Sequence, residues 1–256
     1  MFVPYLMGGL GNILFQVLSV YVFAKERGQS FGVNPNLRMH AHHSDIDYWS
    51  NLLIQFRAFF TSEIPVRVIT EQAYKDAITT TSIDYQFYGY WQHWKYLWKH
   101  HGEVCRLLSF DTSIQTKYPR LSESAFVHVR GGDYVKHPIH GIELKSYYKR
   151  ALKLLQEKGV QHLYILTNDR PFAERYFFLE DMEHTYVDDN EISSLYVMSQ
   201  CGVGGIAANS TFSWWGLFLN PHRPCLIIPD KWSHDNVVIA EQYAFPGTTI
   251  LSTSTS

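Results

Sequence analysis

Short apolar segments alternate with helical patterns throughout the second half of this sequence. The helical stretches place apolar residues along one face, and the apolar runs between them are bounded by turn-forming residues. Because strands joined by short helical crossovers pair in one direction, the pattern predicts a parallel sheet in an α/β fold. The predicted strands are Phe126–Arg130, His162–Thr167, Thr185–Val187, Gly204–Ala208 and Cys225–Ile228, and the predicted helices are Leu144–Lys158, one opened by Pro171, Glu191–Cys201 and Phe212–Leu219.

The first half begins with the same alternation and then becomes less regular. Asn12 is a suitable cap for its first helix, and Gly28 ends that helix. A polar, turn-rich stretch at Asp111–Glu123 predicts a boundary that separates domains at residues 1–120 and 121–256. The predicted elements of the first half are a strand at Phe2–Met7, a helix at Asn12–Arg27, a helical stretch at Ile46–Phe60, a strand at Tyr85–Tyr90 and a helix at Trp94–Leu108.

The composition excludes several classes of protein. A net charge of −2 over 256 residues gives no electrostatic footprint for nucleic acid. No segment reaches the ~20 apolar residues of a spanning helix, and the start of the chain lacks the regions of a signal peptide. Three widely spaced cysteines are typical of free thiols in a reducing compartment. We therefore expect a soluble cytoplasmic protein, with peripheral attachment to a membrane left open, and a frayed Ser/Thr-rich tail at Leu251–Ser256.

One predicted strand ends in an arginine, followed by a glycine pair and an aspartate. Arg130 lies where open α/β sheets bind ligands, and its guanidinium fork matches phosphate oxygens. This predicts a phosphate-bearing ligand held by Arg130, although the spacing fits a structural ion pair with Asp133 or Glu143 about as well. His128 alternates with apolar neighbours, which is more often the pattern of a hydrogen-bonding histidine than of a catalyst, and Asp133 is also an ordinary turn residue.

Two glycine- or hydroxyl-rich turns open helices and expose unpaired N–H groups. The turn Gly8–Gly11 opens the first helix, and Asn209–Thr211 opens a later one. Together with Arg130, such groups can neutralise a diphosphate leaving group, so the set favours a nucleotide-sugar transferase. The spacing in Gly8–Gly11 is neither that of a Walker loop nor that of a dinucleotide fingerprint, which excludes ATP and NAD sites of those kinds.

Five segments, in order along most of the chain, resemble the motifs of the galactoside α-1,2-fucosyltransferases, glycosyltransferase family 11. Each is weak alone, but the ordered set is specific. The resemblance implies a GT-B fold of two Rossmann-like domains facing a central cleft, with residues 1–120 on the acceptor side and 121–256 binding the GDP-sugar. The segments are Gly8–Gln16, Tyr88–Lys95, His128–Val135, Leu163–Asp169 and Ala208–Gly216.

The resemblance also implies a reaction. L-fucose would pass from GDP-L-fucose to a galactose-containing glycan, most often to O2 of the galactose, with inversion and without an obligatory metal or other cofactor. Other linkages, α-1,6 or α-1,3, another sugar nucleotide, and a non-catalytic nucleotide- or glycan-binding module are the alternatives. The proton acceptor stays open among Asp133, His128 and Glu143, and a path without a base is also compatible with the sequence.

Individual residues receive roles from the same resemblance. Arg130 matches the arginine that binds the donor diphosphate, and His128 and Asp133 share its motif, so these three are the candidate catalytic residues. Gly131 stands where the family usually has a second arginine, so the motif here lacks a neighbouring guanidinium. The residues expected to bind the donor are Gly8, Gly9, Gly11, Asn12, Arg130, Asp169, Ser210 and Thr211.

Several other signals have simpler explanations. Asp45–Asp47 resembles a metal-binding pair but lacks a preceding strand, so we interpret it as a helix start. Asn209 begins a formal glycosylation sequon inside an apolar helix entry, and we expect no glycan there. Trp214–Trp215 is predicted to lie in the core, whereas Trp91 and Trp94 are the better candidates for stacking on a sugar.

Overall fold

The polar stretch between the two halves belongs to the second of two compact units. A computed structural model describes residues 1–37, 45–77, 83–235 and 240–254, and the units are Met1–Phe110 and Asp111–Ser256. The division lies at residue 110 rather than 120 because the polar stretch bonds to the second unit. Lys117 Nζ lies 2.8 Å from a carboxylate oxygen of Asp189, and the Tyr118 hydroxyl donates to the same oxygen.

The first unit combines short parallel strands with helices. Its elements, in chain order, are β1 (Phe2–Pro4), α1 (Leu10–Glu26), 3₁₀ helices at Tyr48–Ser50 and Ile54–Phe59, β2 (Val68–Thr70), α2 (Glu71–Ala77), β3 (Tyr85–Tyr88), α3 (Trp94–Trp98) and α4 (His101–Arg106). Within the described residues the strands form one sheet in the order β1-β3-β2, and both pairings are parallel. The α/β character predicted for this half is therefore confirmed.

Helix α1 contributes aromatic side chains to the core of this unit. Phe23 stacks on Tyr74 with 4.4 Å between ring centroids and meets the edge of Trp91 at 5.7 Å. Trp91 is completely buried. The prediction that Trp91 stacks on a sugar is therefore wrong, because large aromatic residues fill cores as readily as they form carbohydrate platforms.

The second unit is a larger parallel α/β layer. Its strands and helices, in chain order, are β4 (Ser124–Val129), α5 (Lys145–Glu157), β5 (His162–Thr167), α6 (Arg170–Ala173), β6 (Glu183–Tyr186), α7 (Glu191–Gln200), β7 (Gly204–Ile206), α8 (Thr211–Phe218), β8 (Cys225–Pro229), α9 (Ala240–Tyr243) and β9 (Thr248–Leu251). In the described part of the chain the strand order is β6-β5-β4-β7-β8-β9, all parallel. This is the order 3-2-1-4-5-6 of Rossmann domains.

Two adjacent tyrosines attach α5 to this sheet. The Tyr147 hydroxyl donates to the carbonyl oxygens of Ala207, at 2.7 Å, and Ile227, at 3.1 Å, and the Tyr148 hydroxyl donates to that of His128 at 2.8 Å. Burial raises the pKa of both phenols well above the usual value. Hydrogen bonds therefore add to apolar packing in holding α5 beside the carboxyl ends of β4, β7 and β8.

Some element boundaries in the first half differ from the sequence predictions. Helix α1 begins at Leu10 with Gly9 as its N-cap, so Asn12 lies in the first turn and does not cap the helix. The predicted helix Trp94–Leu108 is divided into α3 and α4, and Ile46–Phe60 contains two 3₁₀ helices. A continuous apolar face does not reveal such breaks, because each piece presents the same spacing.

The described part of the Ser/Thr-rich tail, residues 251–254, is more ordered than its composition predicts. Strand β9 pairs with β8, as in the register Ile228 to Ile250. The N–H and hydroxyl groups of Thr253 both donate to Asp230 Oδ1 at 2.8 Å. The prediction of a frayed tail is therefore wrong for residues 251–254, because tertiary hydrogen bonds override the bias of a Ser/Thr-rich segment.

Three smaller predictions are confirmed. Trp214 and Trp215 are fully buried. Asp47 starts a 3₁₀ helix, because its side chain accepts hydrogen bonds from the N–H groups of Trp49 and Ser50. The cysteines of the described chain are free thiols.

Candidate functional site

The carboxyl ends of β4, β5 and β7 lie side by side in the sheet of the second unit. Strand β4 pairs with β5 on one side and with β7 on the other. The chain proceeds outward through β5 and β6 before it returns to β7, so the direction of winding reverses between β4 and β7. Open α/β sheets bind ligands outside the carboxyl ends of the strands at such a point. The loops that follow these strands are therefore the candidate site.

Arg130 follows β4 directly and has a fixed orientation. Its Nη2 donates to Asp133 Oδ1 at 2.7 Å, and its guanidinium carbon lies 4.7 Å from the centroid of the Tyr134 ring. The side chain remains 22% exposed, and its buried Nε has no hydrogen-bond partner among the described residues. The ion pair that the spacing allows is thus formed with Asp133, and the Nε–H group of the fork remains without a partner among the described residues.

The glycine pair after Arg130 is bonded to the loop that follows β5. Gly131 N–H donates to Asn168 Oδ1 at 2.9 Å, and Gly132 N–H donates to Asp169 Oδ2 at 3.0 Å. Gly132 has a φ of +60°, which favours glycine. The two neighbouring loops therefore form one hydrogen-bonded unit, and this unit fixes the turn that presents Asp133.

Position 131 has no room for a side chain. A Cβ atom there would lie 2.6 Å from Asp169 Cβ and 2.9 Å from Phe172 Cδ1. Both distances are well inside the ~3.5–4.0 Å separation at which carbon atoms attract one another. Packing between the two loops thus accounts for a glycine where the family motif usually has a second arginine.

Asp169 connects these two loops. Its Oδ1 accepts the N–H of Phe172 at 3.1 Å as the N-cap of α6, and its Oδ2 accepts the N–H of Gly132. Both carboxylate oxygens are therefore engaged by backbone donors, which is the arrangement of a positioning residue. Direct contact between Asp169 and a sugar-nucleotide donor stays a prediction.

His128 lies beneath Arg130 in an apolar environment. It is 3% exposed, its ring centroid is 5.6 Å from that of Phe212, and its Nδ1 has no partner within the described chain. Burial, reinforced by the charge of Arg130, lowers the pKa of the imidazole to about 3. The ring is therefore uncharged at neutral pH and is a weak proton acceptor, which argues against His128 as the base.

The loop after β7 completes this edge of the sheet. Asn209 is buried, and its Nδ2 donates to the carbonyl oxygens of His140, at 2.9 Å, and Trp232, at 3.1 Å. Ser210 is the N-cap of α8 and Thr211 is its first residue; in the described structure the Ser210 hydroxyl makes no cap hydrogen bond to this turn. The amide of Asn209 is thus a structural bridge, and the first turn of α8 resembles helix starts that bind anions.

Two cavities adjoin these loops. One, of about 240 Å³, is lined by Arg130, Tyr134, Glu143, Arg175, Tyr176 and Asn209, among others. The other, of about 500 Å³, is lined by Asp133, Lys136, Asp169, Phe172 and Arg175, among others. Arg130 and Asn209 therefore line the 240 Å³ cavity, and Asp133 and Asp169 line the 500 Å³ cavity.

Gln16 fixes the entry to the glycine turn of the first unit, and Asn12 packs against the turn. The buried Gln16 accepts the N–H of Met7 at 2.9 Å and donates to its carbonyl at 3.2 Å. Asn12 Oδ1 accepts from Gln92 Nε2 at 2.9 Å. Gly8 has a φ of +75°, and a Cβ atom there would lie 2.3 Å from Asn12 Nδ2. Gly8 therefore has both a backbone and a packing reason to be glycine.

Gly9 and Gly11 lie in the same helix start. Gly9 is the extended N-cap of α1, and Gly11 is buried in its first turn. Contact of Gly8, Gly9, Gly11 or Asn12 with a donor stays a prediction.

Two other kinds of site are absent from the described residues. No group of three or more His, Cys, Asp or Glu side chains is placed there to hold a metal ion. No helix in those ranges has both the length and the apolar character needed to cross a membrane.

Three side chains at the candidate site were not identified from the sequence. Asn168 and Tyr134 lie inside the quoted motifs, next to Asp169 and Asp133, so their positions carried a signal. Arg175 carried none, because it lies in an irregular 3₁₀ stretch, Glu174–Asp181, with a non-helical kink.

Comparisons with known proteins show the family to which the chain belongs. Residues 39–247 match the family model for glycosyl transferase family 11, a range that includes Arg130 and excludes Gly8 to Asn12. The chain is 33% identical over 121 residues to the O-antigen biosynthesis glycosyltransferase WbnK of Escherichia coli, a match that covers 43% of this chain and only 39% of that protein. It is 24% identical to an alpha-1,2-colitosyltransferase of Escherichia coli, over 89% of this chain and 90% of the relative.

Solved structures with a similar fold include fucosyltransferases. NodZ from Bradyrhizobium has a TM-score of 0.56 at 11% identity and covers 86% of this chain and 93% of its own. POFUT1 in complex with GDP has a TM-score of 0.54 at 11% identity and covers 86% and 94%. These similarities confirm the predicted α/β fold of GT-B type. With the family match extending over most of its length, the chain belongs to glycosyltransferase family 11 and is a glycosyltransferase.

Proposed function

We propose that this chain transfers L-fucose from GDP-L-fucose to a hydroxyl of a glycan, with O2 of a galactose as the preferred acceptor. Family membership supports glycosyl transfer, and the relative whose alignment covers 89% of the chain is an alpha-1,2-transferase. GDP is the nucleotide in the POFUT1 complex that shares the fold. Inversion at the anomeric carbon and a galactose acceptor belong to the proposal.

The observation that carries the proposal is the position of Arg130. A partly exposed guanidinium stands at the carboxyl end of a central strand, held by Asp133 and by the Tyr134 ring. Charge accumulates on the diphosphate oxygens as the glycosidic bond breaks. A preoriented cation stabilises that charge without reorganisation, and such contacts contribute on the order of 2–4 kcal/mol to transition-state stability.

Asp133 acts in this proposal as a positioning residue. Its carboxylate holds the same guanidinium that binds the diphosphate, so it lies on the leaving-group side of the sugar. An inverting displacement needs its proton acceptor on the opposite face. Glu143 lines the 240 Å³ cavity together with Arg130 and is therefore on that side as well, so the acceptor hydroxyl loses its proton late in the reaction, without either carboxylate as the base.

A second donor is favoured by a specific observation. The alpha-1,2-colitosyltransferase matches this chain over 89% of its length, so a colitose-bearing nucleotide sugar is the alternative substrate. Both candidates place the nucleotide diphosphate at Arg130 and differ only in the sugar that the remaining pocket selects.

The test is transfer from GDP-fucose and from the colitose-bearing nucleotide to a library of galactosides, with product linkage determined by mass spectrometry and NMR. We expect an α-1,2-fucosylated galactoside. A product with α-1,6 or α-1,3 linkage would overturn the acceptor assignment, and exclusive use of the colitosyl donor would overturn the choice of fucose. Binding of GDP without transfer to any acceptor would favour a non-catalytic module.

Variants of Arg130 test the role of the guanidinium. We expect Arg130→Ala to lower kcat/KM at least a hundredfold, a loss of about 2.7 kcal/mol, and Arg130→Lys to recover only part of it because an ammonium cannot bind two oxygens at once. Arg170→Ala is the matched control, since Arg170 is exposed, pairs with Glu174 and lines neither cavity. Near-native turnover by Arg130→Ala would refute the assignment.

A further inference from the structure

A second guanidinium borders the cavity of Arg130. Arg175 lines both the 240 Å³ cavity, together with Arg130, and the adjoining 500 Å³ cavity. Its side chain is exposed, and it forms no ion pair with any of the described residues. The charge of Arg130 is balanced by Asp133 at 2.7 Å. Arg175 is therefore the cation at this cavity that has no fixed counter-charge within the described chain.

Neighbouring aromatic residues hold the backbone of Arg175 at this position. Tyr176 is 7% exposed, and its ring packs against Tyr148 at 5.3 Å and Phe172 at 5.6 Å between centroids. The kink in the 3₁₀ stretch lies at Tyr176, with φ −91° and ψ 48°. Because Tyr176 is anchored in the core, the adjacent Arg175 is directed toward solvent at the mouth of the cavity.

The ring of Phe172 lies close both to Arg175 and to Gly131, the residue that follows Arg130. Phe172 Cδ1 is one of the atoms that a Cβ at position 131 would meet, at 2.9 Å. The guanidinium carbon of Arg175 lies 5.6 Å from the centroid of that ring. Position 131, which follows β4, therefore has no room for a second cationic side chain. Arg175, which follows α6, supplies one at this cavity.

We propose that Arg175 binds the diphosphate of the nucleotide sugar together with Arg130. This inference rests on the proposed function, because it assigns the diphosphate of the same donor. The diphosphate carries more than one negative charge, and Glu143 at the cavity adds repulsion, so a single guanidinium already paired with Asp133 neutralises only part of it. Two guanidinium groups approaching from different loops bind oxygens that one fork cannot reach.

The experiment is titration calorimetry of the 256-residue chain with GDP, GMP and guanosine. The variants are Arg175→Gln, Arg175→Lys and the control Arg170→Gln, which removes the same charge five residues earlier on a side chain that pairs with Glu174 and stacks on Tyr186 at 4.0 Å. Thermal unfolding of each variant is measured alongside. We expect Arg175→Gln to weaken GDP about tenfold to a hundredfold, the range for a charge-assisted hydrogen bond.

The pattern across ligands separates the possible outcomes. Guanosine has no phosphate and should bind Arg175→Gln as tightly as it binds the wild type. Arg175→Lys should recover part of the GDP affinity. Arg170→Gln should match the wild type with every ligand. Unchanged GDP affinity in Arg175→Gln, or an equal loss for GDP and guanosine, would overturn the inference and leave the proposed function intact. Failure of the wild type itself to bind GDP would overturn both.

Discussion

The guanidinium of Arg223 donates to the carbonyl oxygen of Met198 at 2.6 Å, across the gap between the ends of α7 and α8. Arg223 is 7% exposed, and burial lowers its pKa to about 10. The N–H groups bonded in this way satisfy carbonyls at both helix ends, where helices leave acceptors unpaired and favour positive charge. The remaining acceptors are the carbonyl oxygens of Cys201, Gly216, Leu217 and Asn220.

Replacement of Arg223 should therefore destabilise the second unit strongly. We expect Arg223→Met to lower the free energy of unfolding by about 3 kcal/mol or more, because several buried carbonyls lose their donors. Urea denaturation followed by circular dichroism measures the change. The control Arg106→Met removes an exposed arginine and should shift the free energy by less than about 0.5 kcal/mol. Equal midpoints for the two variants would contradict this account of Arg223.

The buried imidazole of His128 should make the protein sensitive to acid. Its folded-state pKa of about 3 lies below the ordinary value of 6.5, so the unfolded chain binds a proton that the folded chain refuses. As pH falls through this window, stability should drop by up to about 1.4 kcal/mol per unit from this group. We expect the unfolding free energy of His128→Gln to fall less steeply than that of the wild type between pH 6.5 and pH 4. Parallel slopes would show that the imidazole does not titrate in this way.

A methyl group at position 131 should disturb the site. We expect Gly131→Ala to cost about 1–3 kcal/mol of stability and to lower transfer activity further, because Asp169 and Phe172 must move and the turn that presents Asp133 moves with them. Differential scanning fluorimetry and initial rates measure the two effects. Gly102→Ala is the control: its Cβ would meet only Arg106 Nη1, at 3.6 Å, and alanine should stabilise this helical position by up to about 1 kcal/mol.

Alanine substitutions at Gly8 and Gly28 separate the free-energy cost of a packing clash from the cost of a strained backbone. Gly8 and Gly28 both have positive φ, but a Cβ at Gly28 meets nothing within 4 Å, whereas one at Gly8 lies 2.3 Å from Asn12 Nδ2. We expect Gly28→Ala to cost about 1–2 kcal/mol for the left-handed backbone alone, and Gly8→Ala to cost at least about 1 kcal/mol more. In a double-mutant cycle, Asn12→Ala should reduce the cost of Gly8→Ala. Additive effects would be evidence against a clash.

The sequence predicted local features well and long-range contacts poorly. The alternation of strands and helices specified the parallel sheet, and strand β5 was placed at its observed residues, because burial on both faces leaves a continuous apolar run. Arg130 was identified because a motif marks the end of its strand. The reason for Gly131, by contrast, lies in contacts with Asp169 and Phe172 that no local pattern encodes.

The burial of individual side chains is the second property that the sequence predicted poorly. Trp91 and His128 have residue types that suggest a sugar platform and an acid–base group, yet both lie in the interior. Residue type reports what a side chain can do, whereas exposure depends on the packing of distant segments. Arg175 is the opposite case. Nothing in the sequence marks this arginine, and it reaches the cavity because the adjacent Tyr176 is anchored in the core.

The position of β4 in the sheet has a consequence for biosynthesis. Phe126 pairs with Gly205, so one edge of the strand that carries Arg130 has no partner until β7 has left the ribosome. A nascent chain that stops before that point exposes a bare apolar edge, which other chains can pair with. We therefore expect truncations that end after α7 to aggregate, and we do not expect the segment that contains Arg130 to fold as an independent module.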